Sequence, residues 1–426
     1  MESAEKTLAN VPGEYVISTS KYRWIVLTLC WLAFSLTAAD RSTWGPSSLF
    51  VGESLGVPLA GLGAFATAYY IGYVVFNATS GFLIDKLGGR LLIAVSLSGA
   101  GCFMFLFGST KSAYAGIALQ AIVGGFAGAD YAAGVKLISS WFKPSELGRV
   151  MGIYTSATAL GVLVANLIVP ALIARYDWSA SYHLLGGISI VVGIICYLVL
   201  RPGPVFTPTP PTTQDKTSAF SRLLANKNLV LLAIAGFGGS WGTYGFITWS
   251  NALMIKSRGL SPETAGLIMA IFAAMGVISK PVIGYVSDKW EGARRLPAMF
   301  ILSSFSVLLI VFGVIASPMM FMLFAPFLGL AAYGYLPIIV ALVPRFVGTQ
   351  MVGSAAGMTN AFWQLGSAIV PIAVGAAFTV SGQSFVIALC TLALGPALGI
   401  IAMYFVDESS HRLPKKITDA NRQSRH

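Results

Sequence analysis

Long apolar segments separated by short polar ones run through almost the whole chain. Twelve of them are long enough to cross the hydrocarbon core of a bilayer, which takes about 20 residues of α-helix. They lie at 22–49, 60–84, 91–109, 113–141, 149–173, 181–200, 228–254, 262–285, 296–315, 319–342, 351–375 and 384–406. Because these segments are continuously apolar and do not alternate, the pattern predicts membrane helices and not a β-barrel. The predicted fold class is an all-α polytopic membrane protein.

Composition and charge agree with a membrane protein. Hydrophobic residues make up 56% of the chain and charged residues only 10%, too few to cover a soluble protein of 426 residues. With the amino terminus inside, most of the 27 Lys and Arg residues fall in inner segments. The positive-inside rule therefore predicts two cytoplasmic termini. The net charge of +11 follows from this topology, so no nucleic-acid partner is expected.

The chain repeats itself after about 200 residues. The segment GFLIDKLGGR at 81–90 has an echo in GYVSDK at 284–289, 203 residues later. A pair of glycines nine residues apart returns after 205 residues, as Gly152/Gly161 and Gly357/Gly366. Duplicated sets of hydrophobic helices are how many secondary transporters are built, with the substrate held between the two halves.

The repeat and the polar segments predict a domain organisation. It consists of a cytoplasmic N-terminal segment 1–21, a six-helix bundle 22–200, a proline-rich cytoplasmic linker 201–227, a second bundle 228–406 and a cytoplasmic tail 407–426. No cleavable signal pattern precedes the first helix, which is therefore expected to stay in place. We expect a monomer in a plasma membrane, the inner membrane of a bacterium.

Five charged residues fall inside predicted helices: Asp40, Arg41, Asp130, Lys136 and Lys280. Each costs at least about 2.5–3.5 kcal/mol at the bilayer centre, so each should face a cavity or a partner. At about 1.5 Å per residue, Asp130 and Lys280 are expected roughly 12–16 Å from the inner face, near the midplane. Lys136 lies closer to the interface, where its ammonium can reach water.

The loop after the second predicted helix carries a specific motif. Gly81, Asp85 and Arg90 fit the pattern Gly-x-x-x-Asp-(Arg/Lys)-x-Gly-x-Arg, and Asp288 belongs to its degenerate copy. With twelve helices and a central linker, the chain resembles the major facilitator superfamily over essentially its whole length. The resemblance implies two pseudo-symmetric six-helix bundles that rock around a central cavity. It also implies that Gly81, Asp85, Arg90 and Asp288 belong to a cytoplasmic gate.

Two finer resemblances concern the buried charges. Lys280 and Pro281 begin a stretch that is similar to the Arg-Pro-x-x-Gly-x-x-x-Asp motif of monocarboxylate and oxalate/formate-type carriers, in which the basic residue binds the substrate carboxylate. Lysine lacks the bidentate fork of that arginine. Asp40-Arg41 together with Asp130 resembles the organic-anion/proton symporters of the sugar-acid and aromatic-acid group. There the arginine serves the substrate and the acids serve protons.

The resemblance also places the first and fourth helices side by side. Arg41 is then expected to pair with Asp130 across the cavity, either as a permanent ion pair or as a pair that opens when a carboxylate takes up a proton. Asp130 and Asp40 are the candidate proton-coupling residues, in that order. Lys280 has no acidic residue one turn away and is expected either to lose its proton or to await an anion.

Aromatic and polar residues at helical spacing mark the expected cavity walls. The candidates for substrate contact, besides Arg41 and Lys280, are Trp44, Tyr70, Tyr73, Asn77, Trp241, Tyr244, Asn360 and Gln364. Gln364 stands where the oxalate carriers have a lysine, which argues against a compact dicarboxylate.

These features predict proton-coupled symport of an organic carboxylate by alternating access, the carboxylate being a monocarboxylate of aromatic, hydroxy-acid or sugar-acid type. The expected partners are a small organic anion, a proton and the lipid bilayer. An organic-anion exchanger and a multidrug/proton antiporter remain alternatives, although segment 157–162 lacks the proline-glycine signature of antiporters. A receptor that uses this fold without transport is a further alternative, against which the buried charges argue. No nucleophile–base or metal-ligand pattern is present, so neither an enzyme, a metal nor a cofactor is expected.

Overall fold

The computed structural model describes residues 21–203, 223–289, 294–347 and 352–408, apart from the side chains at 78–82, 85, 144–145, 287–289 and 352–354. Nearly all of the predicted N-terminal segment, most of the linker and most of the tail lie outside the described residues.

Fourteen α-helices account for the described residues almost completely. They are α1 (Tyr22–Ser42), α2 (Trp44–Ser54), α3 (Leu62–Leu87), α4 (Gly89–Gly108), α5 (Ala113–Ala127), α6 (Asp130–Ser139), α7 (Pro144–Arg175), α8 (Trp178–Val199), α9 (Lys227–Arg258), α10 (Pro262–Lys289), α11 (Arg295–Val314), α12 (Pro318–Leu342), α13 (Val352–Val380) and α14 (Phe385–Tyr404). Single turns of 3₁₀-helix lie at Leu59–Gly61 and Val343–Phe346.

These helices provide 12 spans that are long and apolar enough to cross a membrane. The helices α1 and α2 together form the first span, and α5 and α6 form the fourth. The prediction of an all-α protein with twelve transmembrane helices is confirmed. The ends differ by a few residues. The fifth predicted helix, 149–173, is α7 and begins earlier, at Pro144, because proline is tolerated in a first helical turn.

The spans form two six-helix bundles, α1–α8 and α9–α14. Within the first bundle the closest neighbours are α4 with α8, α3 with α5 and α1 with α7; within the second they are α9 with α13 and α14, α10 with α12 and α11 with α14. Two long seams join the bundles, α7 against α10 and α3 against α13. The repeated sequence segments lie on these four seam helices.

Paired glycines show that the sequence repeat is also a repeat of packing. A Cβ atom at Gly161 of α7 would lie 2.5 Å from the carbonyl oxygen of Ser35 on α1. The equivalent atom at Gly366 of α13 would lie 2.4 Å from the carbonyl oxygen of Phe237 on α9. Each bundle therefore uses the second glycine of its pair to bring a seam helix against its own first helix.

Hydrogen bonds join the two bundles towards one end of the molecule. We call the end at which α8 finishes and α9 begins the linker end, and the opposite end the far end. Towards the far end, Thr67 of α3 donates a hydrogen bond of 2.8 Å to the carbonyl oxygen of Ala368 on α13. Asn251 of α9 donates one of 2.9 Å to Asn166 of α7, and both amides are buried. The bundles are thus in contact towards the far end.

Enlarging Gly161 should destabilise the protein. In Gly161→Ala the new methyl group must push α1 away from α7, and overpacking of this kind costs about 1–3 kcal/mol. Gly187 of α8 is the matched control, because a Cβ atom there meets nothing within 4 Å. We expect Gly161→Ala to lower the melting temperature of the purified protein in detergent and Gly187→Ala to leave it within error of wild type. Equal melting temperatures for the two variants would contradict close packing at Gly161.

Candidate functional site

Two cavities lie at the centre of the molecule. The arginine cavity draws its walls from both bundles, with Arg41, Trp44, Gly45, Ala66, Tyr69, Tyr70, Gln120, Ile247 and Thr248. The lysine cavity is lined by the second bundle, with Ser240, Thr243, Tyr244, Lys280, Ala332, Tyr333, Tyr335, Leu336, Asn360, Trp363 and Gln364. Each cavity contains one cationic side chain and several aromatic ones.

Arg41 lies where the two cavities approach each other. Its guanidinium carbon is 4.7 Å from the ring centroid of Tyr244, which lines the lysine cavity. Tyr244 in turn meets Tyr70 of the arginine cavity edge-on, with ring centroids 5.7 Å apart. The Nε atom of Arg41 is buried and has no hydrogen-bond partner among the described residues. A desolvated cation over a ring face is stabilised by about 2 kcal/mol. Because this contact leaves the Nε donor of Arg41 unused, Arg41 can still bind an anion.

Asp130 lies at a break in the fourth span. The helix α5 ends at Ala127 and α6 begins at Asp130, so the carboxylate stands at a helix N-terminus within the bundle. It is 1% exposed and accepts a hydrogen bond of 2.9 Å from the hydroxyl of Thr37. Interrupted helices near the middle of the membrane are typical of ion and substrate sites in transporters.

Asp40 faces the interior of the first bundle. Its Oδ2 atom accepts a hydrogen bond of 2.8 Å from Ser189 of α8, and its Oδ1 atom is buried without a partner in the described structure. Neighbours on a helix point about 100° apart, which explains why Arg41 reaches a cavity and Asp40 does not. Neither Asp40 nor Asp130 lines either cavity.

The predicted ion pair between Arg41 and Asp130 is wrong for this structure. Neither Arg41 nor Asp130 forms an ion pair with a described side chain. Asp130 is instead held by Thr37, and Arg41 lies over Tyr244. A hydroxyl and a ring replace the opposite charges that the sequence led us to expect.

Lys280, which has no acidic residue one turn away, has its partners on the other bundle. That it binds an anion stays a prediction. Its ammonium donates hydrogen bonds to the hydroxyl of Thr158 and, at 3.2 Å, to the carbonyl oxygen of Thr155, both on α7. The ring centroid of Tyr333 lies 5.1 Å from Nζ. The local sequence could not reveal these oxygens, because they lie more than 120 residues away along the chain.

Five of the eight predicted wall residues line a cavity, and three do not. Trp44 and Tyr70 line the arginine cavity, and Tyr244, Asn360 and Gln364 line the lysine cavity. Three others have their side chains elsewhere, as Tyr73 stacks on Tyr69, Trp241 donates to the carbonyl oxygen of Thr391 on α14 and Asn77 lies in the α3–α13 seam.

Asn77 connects three elements. Its side-chain nitrogen donates a hydrogen bond of 3.0 Å to the carbonyl oxygen of Gly128, at the break that precedes Asp130. Its side-chain oxygen lies 3.4 Å from the amide nitrogen of Asn360 on α13, which lines the lysine cavity. The polar contact between α3 and α13 therefore lies beside the break between α5 and α6.

Several cavity residues were missed by sequence reasoning, among them Tyr69, Gln120, Ser240, Thr243, Tyr333 and Tyr335. The cavity face of α9 includes Ser240, Tyr244 and Thr248. These three residues follow one another at intervals of four, whereas the predicted Trp241 lies three residues before Tyr244. Periodicity alone could not choose between the two, because positions 240 and 241 both lie about one turn before Tyr244.

Most of the predicted gate residues have side chains outside the described part of the structure. The side chains of Gly81, Asp85 and Asp288 are outside the described residues. Arg90 is described: its Nε atom donates a hydrogen bond of 2.7 Å to the carbonyl oxygen of Tyr197, and its guanidinium lies 4.8 Å from the ring centroid of the same residue. Arg90 therefore fastens the start of α4 to the end of α8 within the first bundle.

The site offers charge and hydrogen bonds and not covalent chemistry. In the part of the chain that the structure describes, no three His, Cys, Asp or Glu side chains are grouped so that they could hold a metal ion. Two cations at cavities and two enclosed carboxylates suit the binding of an anion and of protons.

Comparison with known proteins agrees with this architecture. The family model of the Major Facilitator Superfamily matches residues 30–371 and 251–424. The hexuronate transporter of Bacillus subtilis (strain 168) is 26% identical over 281 residues, which cover 63% of this chain and 65% of that protein. The protein named "Probable galactarate/D-glucarate transporter GudP" of the same organism is 23% identical over 399 residues, covering 85% of this chain and 87% of that one.

Among solved structures, a bacterial homolog of the human lysosomal transporter Spinster, in an inward-facing and occupied conformation, has a TM-score of 0.71. The likeness covers 91% of this chain and 95% of that chain at 16% identity, so it bears on the fold alone. The family model, in contrast, matches well over half of the sequence. This protein belongs to the Major Facilitator Superfamily.

Proposed function

We propose that this protein is a secondary transporter that carries a sugar acid or a related organic carboxylate across the membrane together with a proton, by alternating access. The observation that carries the proposal is the placement of Arg41. It is a cation between the two bundles with no carboxylate within ion-pair distance, and two enclosed carboxylates lie in the same bundle. The relatives named for hexuronate and for galactarate or glucarate support a sugar acid as the substrate class.

The substrate carboxylate binds Arg41 in this proposal. A guanidinium presents a rigid fork of donors that suits the two oxygens of a carboxylate, whereas the face of the Tyr244 ring offers it no oxygen acceptor. The anion replaces the ring contact and satisfies the Nε atom of Arg41. Gln120, Thr248 and the tyrosine hydroxyls around the cavity are available for the substrate hydroxyl groups. Lys280, Asn360 and Gln364 offer the second polar wall.

Charge balance provides the reason for a proton. Asp40 and Asp130 together oppose Arg41 and Lys280, so the formal charge of these four groups is zero when all are ionised. A monoanion that enters would leave one negative charge uncompensated in a medium of low dielectric constant, which costs several kcal/mol. Protonation of Asp130, or of Asp40, restores the balance. Substrate and proton therefore favour each other's binding, and the carrier moves no net charge.

Orientation and the gate complete the proposal. The distribution of Lys and Arg supports cytoplasmic termini in a plasma membrane, so the linker end faces the cytoplasm and the far end faces outward. Gly81 and Asp85 lie near the linker end of α3 and Asp288 near that of α10, and in this proposal they form the cytoplasmic gate with Arg90.

A second candidate is an organic-anion exchanger that uses no proton. It is favoured by one observation, namely that neither Asp40 nor Asp130 lines a cavity. In an exchanger these acids only balance the two cations, and their protonation plays no part in turnover.

Replacing Asp130 separates the two candidates. Asp130→Asn keeps the shape and the hydrogen bond with Thr37 but cannot lose or gain the proton. In proteoliposomes loaded at neutral pH and placed in acid, we expect this variant to lose at least about tenfold of its accumulation of radiolabelled D-galacturonate, while counterflow of the same label is retained.

The control for this experiment is Glu53→Gln, which changes an exposed acid in the last turn of α2. It should accumulate label like the wild type. Acid-driven accumulation by Asp130→Asn at the wild-type level would remove Asp130 from the proton pathway. Counterflow without acid-driven accumulation in the wild type would favour the exchanger.

Arg41 should carry the recognition of the substrate charge. Purified wild-type protein is expected to melt at higher temperature with D-galacturonate, since a ligand at 100 times its Kd stabilises the folded state by about 2.7 kcal/mol. The methyl ester of the same acid should give no shift, because it leaves Arg41 without an anion. Arg41→Gln should abolish the shift without lowering the melting temperature of the ligand-free protein. A D-galacturonate shift that persists in Arg41→Gln would place the carboxylate elsewhere.

A further inference from the structure

The hydrogen bonds of Lys280 cross the interface between the bundles. Lys280 belongs to α10 of the second bundle, and both oxygens that it contacts belong to α7 of the first. Lys280 and Thr158 are 7% and 9% exposed, so water does not compete freely for the ammonium. The lysine also lines the lysine cavity, which places the charge at the junction of cavity and seam.

The hydroxyl of Thr158 is arranged as an acceptor. Its Oγ1 atom donates to the carbonyl oxygen of Thr155 one turn earlier, at 3.1 Å, so its lone pairs are free to receive the N–H of Lys280. An ammonium has three donors and no acceptor. Thr158 and Thr155 take two of them, and one donor remains for a ligand in the cavity.

We propose that Thr158 is a positioning residue of the anion site, which holds the ammonium of Lys280 at the edge of the lysine cavity. The inference rests on the proposed function, in which Lys280 belongs to the wall that receives the substrate. A lysine side chain loses conformational entropy when its position is fixed. Because Thr158 fixes Lys280 before the anion binds, the binding step does not include that entropy cost. The anion site of the second bundle is thus completed by a residue of the first.

This arrangement makes anion affinity depend on the contact between the bundles. Around Lys280 the seam is close: a Cβ atom at Gly276 of α10 would lie 2.9 Å from the Cβ atom of Ala159, and one at Gly152 of α7 would lie 3.7 Å from the Cα atom of Pro281. When α7 and α10 separate, Lys280 loses both oxygens together. The anion is therefore bound more tightly in the conformation with a closed seam, which is the difference in affinity that a conformational change requires.

A double-mutant cycle tests the proposal. The variants are Thr158→Val, which keeps the shape without the hydroxyl, Thr158→Ser, which keeps the hydroxyl, Lys280→Gln, and the combination of Thr158→Val with Lys280→Gln. The dissociation constant of D-galacturonate is measured by isothermal titration calorimetry on the purified full-length protein. We expect Thr158→Val to weaken binding by about tenfold, as for a lost hydrogen bond to a charged group, and Thr158→Ser to bind like the wild type.

The combination distinguishes positioning from general packing. If Thr158 acts through Lys280, Thr158→Val changes nothing further once Lys280 is glutamine. The same tenfold loss in both backgrounds, or wild-type binding by Thr158→Val, would overturn the proposal. Thr158→Ala, which removes the hydroxyl without adding a methyl group, repeats the measurement in a side chain that cannot clash. Wild-type binding by Lys280→Gln would remove Lys280 from the substrate site and overturn the role of Thr158, whereas the binding of the carboxylate by Arg41 would stand.

Discussion

Charge buried in a medium of low dielectric constant must be compensated, and in this protein the compensation comes from dipoles and not from ion pairs. Ser189 donates to Asp40 and Thr37 to Asp130, the ring of Tyr244 covers Arg41, and two threonine oxygens of α7 hold Lys280. A direct ion pair would fix two of these groups to each other. Hydroxyls, carbonyls and rings hold each charge separately, so an anion or a proton can exchange with one group without breaking a strong bond.

The helix packing repeats in the two bundles, but the buried charges do not. The glycine pairs at Gly161 and Gly366 make equivalent contacts in the two bundles, and the two seams are built from equivalent helices. The acids, in contrast, both belong to the first bundle and Lys280 to the second. The repeat provides two equivalent bodies. In the proposed function, the unequal charges give the protein a site for one anion between the bundles and for one proton in the first bundle.

The sequence predicted the membrane architecture well because apolar length and glycine spacing are local signals. It also predicted which charged residues would be buried, since Asp40, Asp130 and Lys280 each interrupt an apolar run. It failed where partners come from distant helices. The oxygens of Thr155 and Thr158 are part of an ordinary polar stretch of α7, and nothing near them in the chain indicates that a lysine from the other bundle will contact them. Trp241 was predicted in place of Ser240 for a related reason, because helical spacing defines a stripe only to within one residue.

The central claim is that one proton compensates the charge of one entering carboxylate. It is tested most directly by recording internal pH with a trapped dye in proteoliposomes that contain wild-type protein, while an inward gradient of D-galacturonate is imposed without a pH gradient. The account predicts acidification of the interior that follows the substrate gradient and is unchanged when valinomycin and potassium clamp the membrane potential at different values. Uptake of D-galacturonate without acidification, or with a rate that depends on the clamped potential, would contradict it.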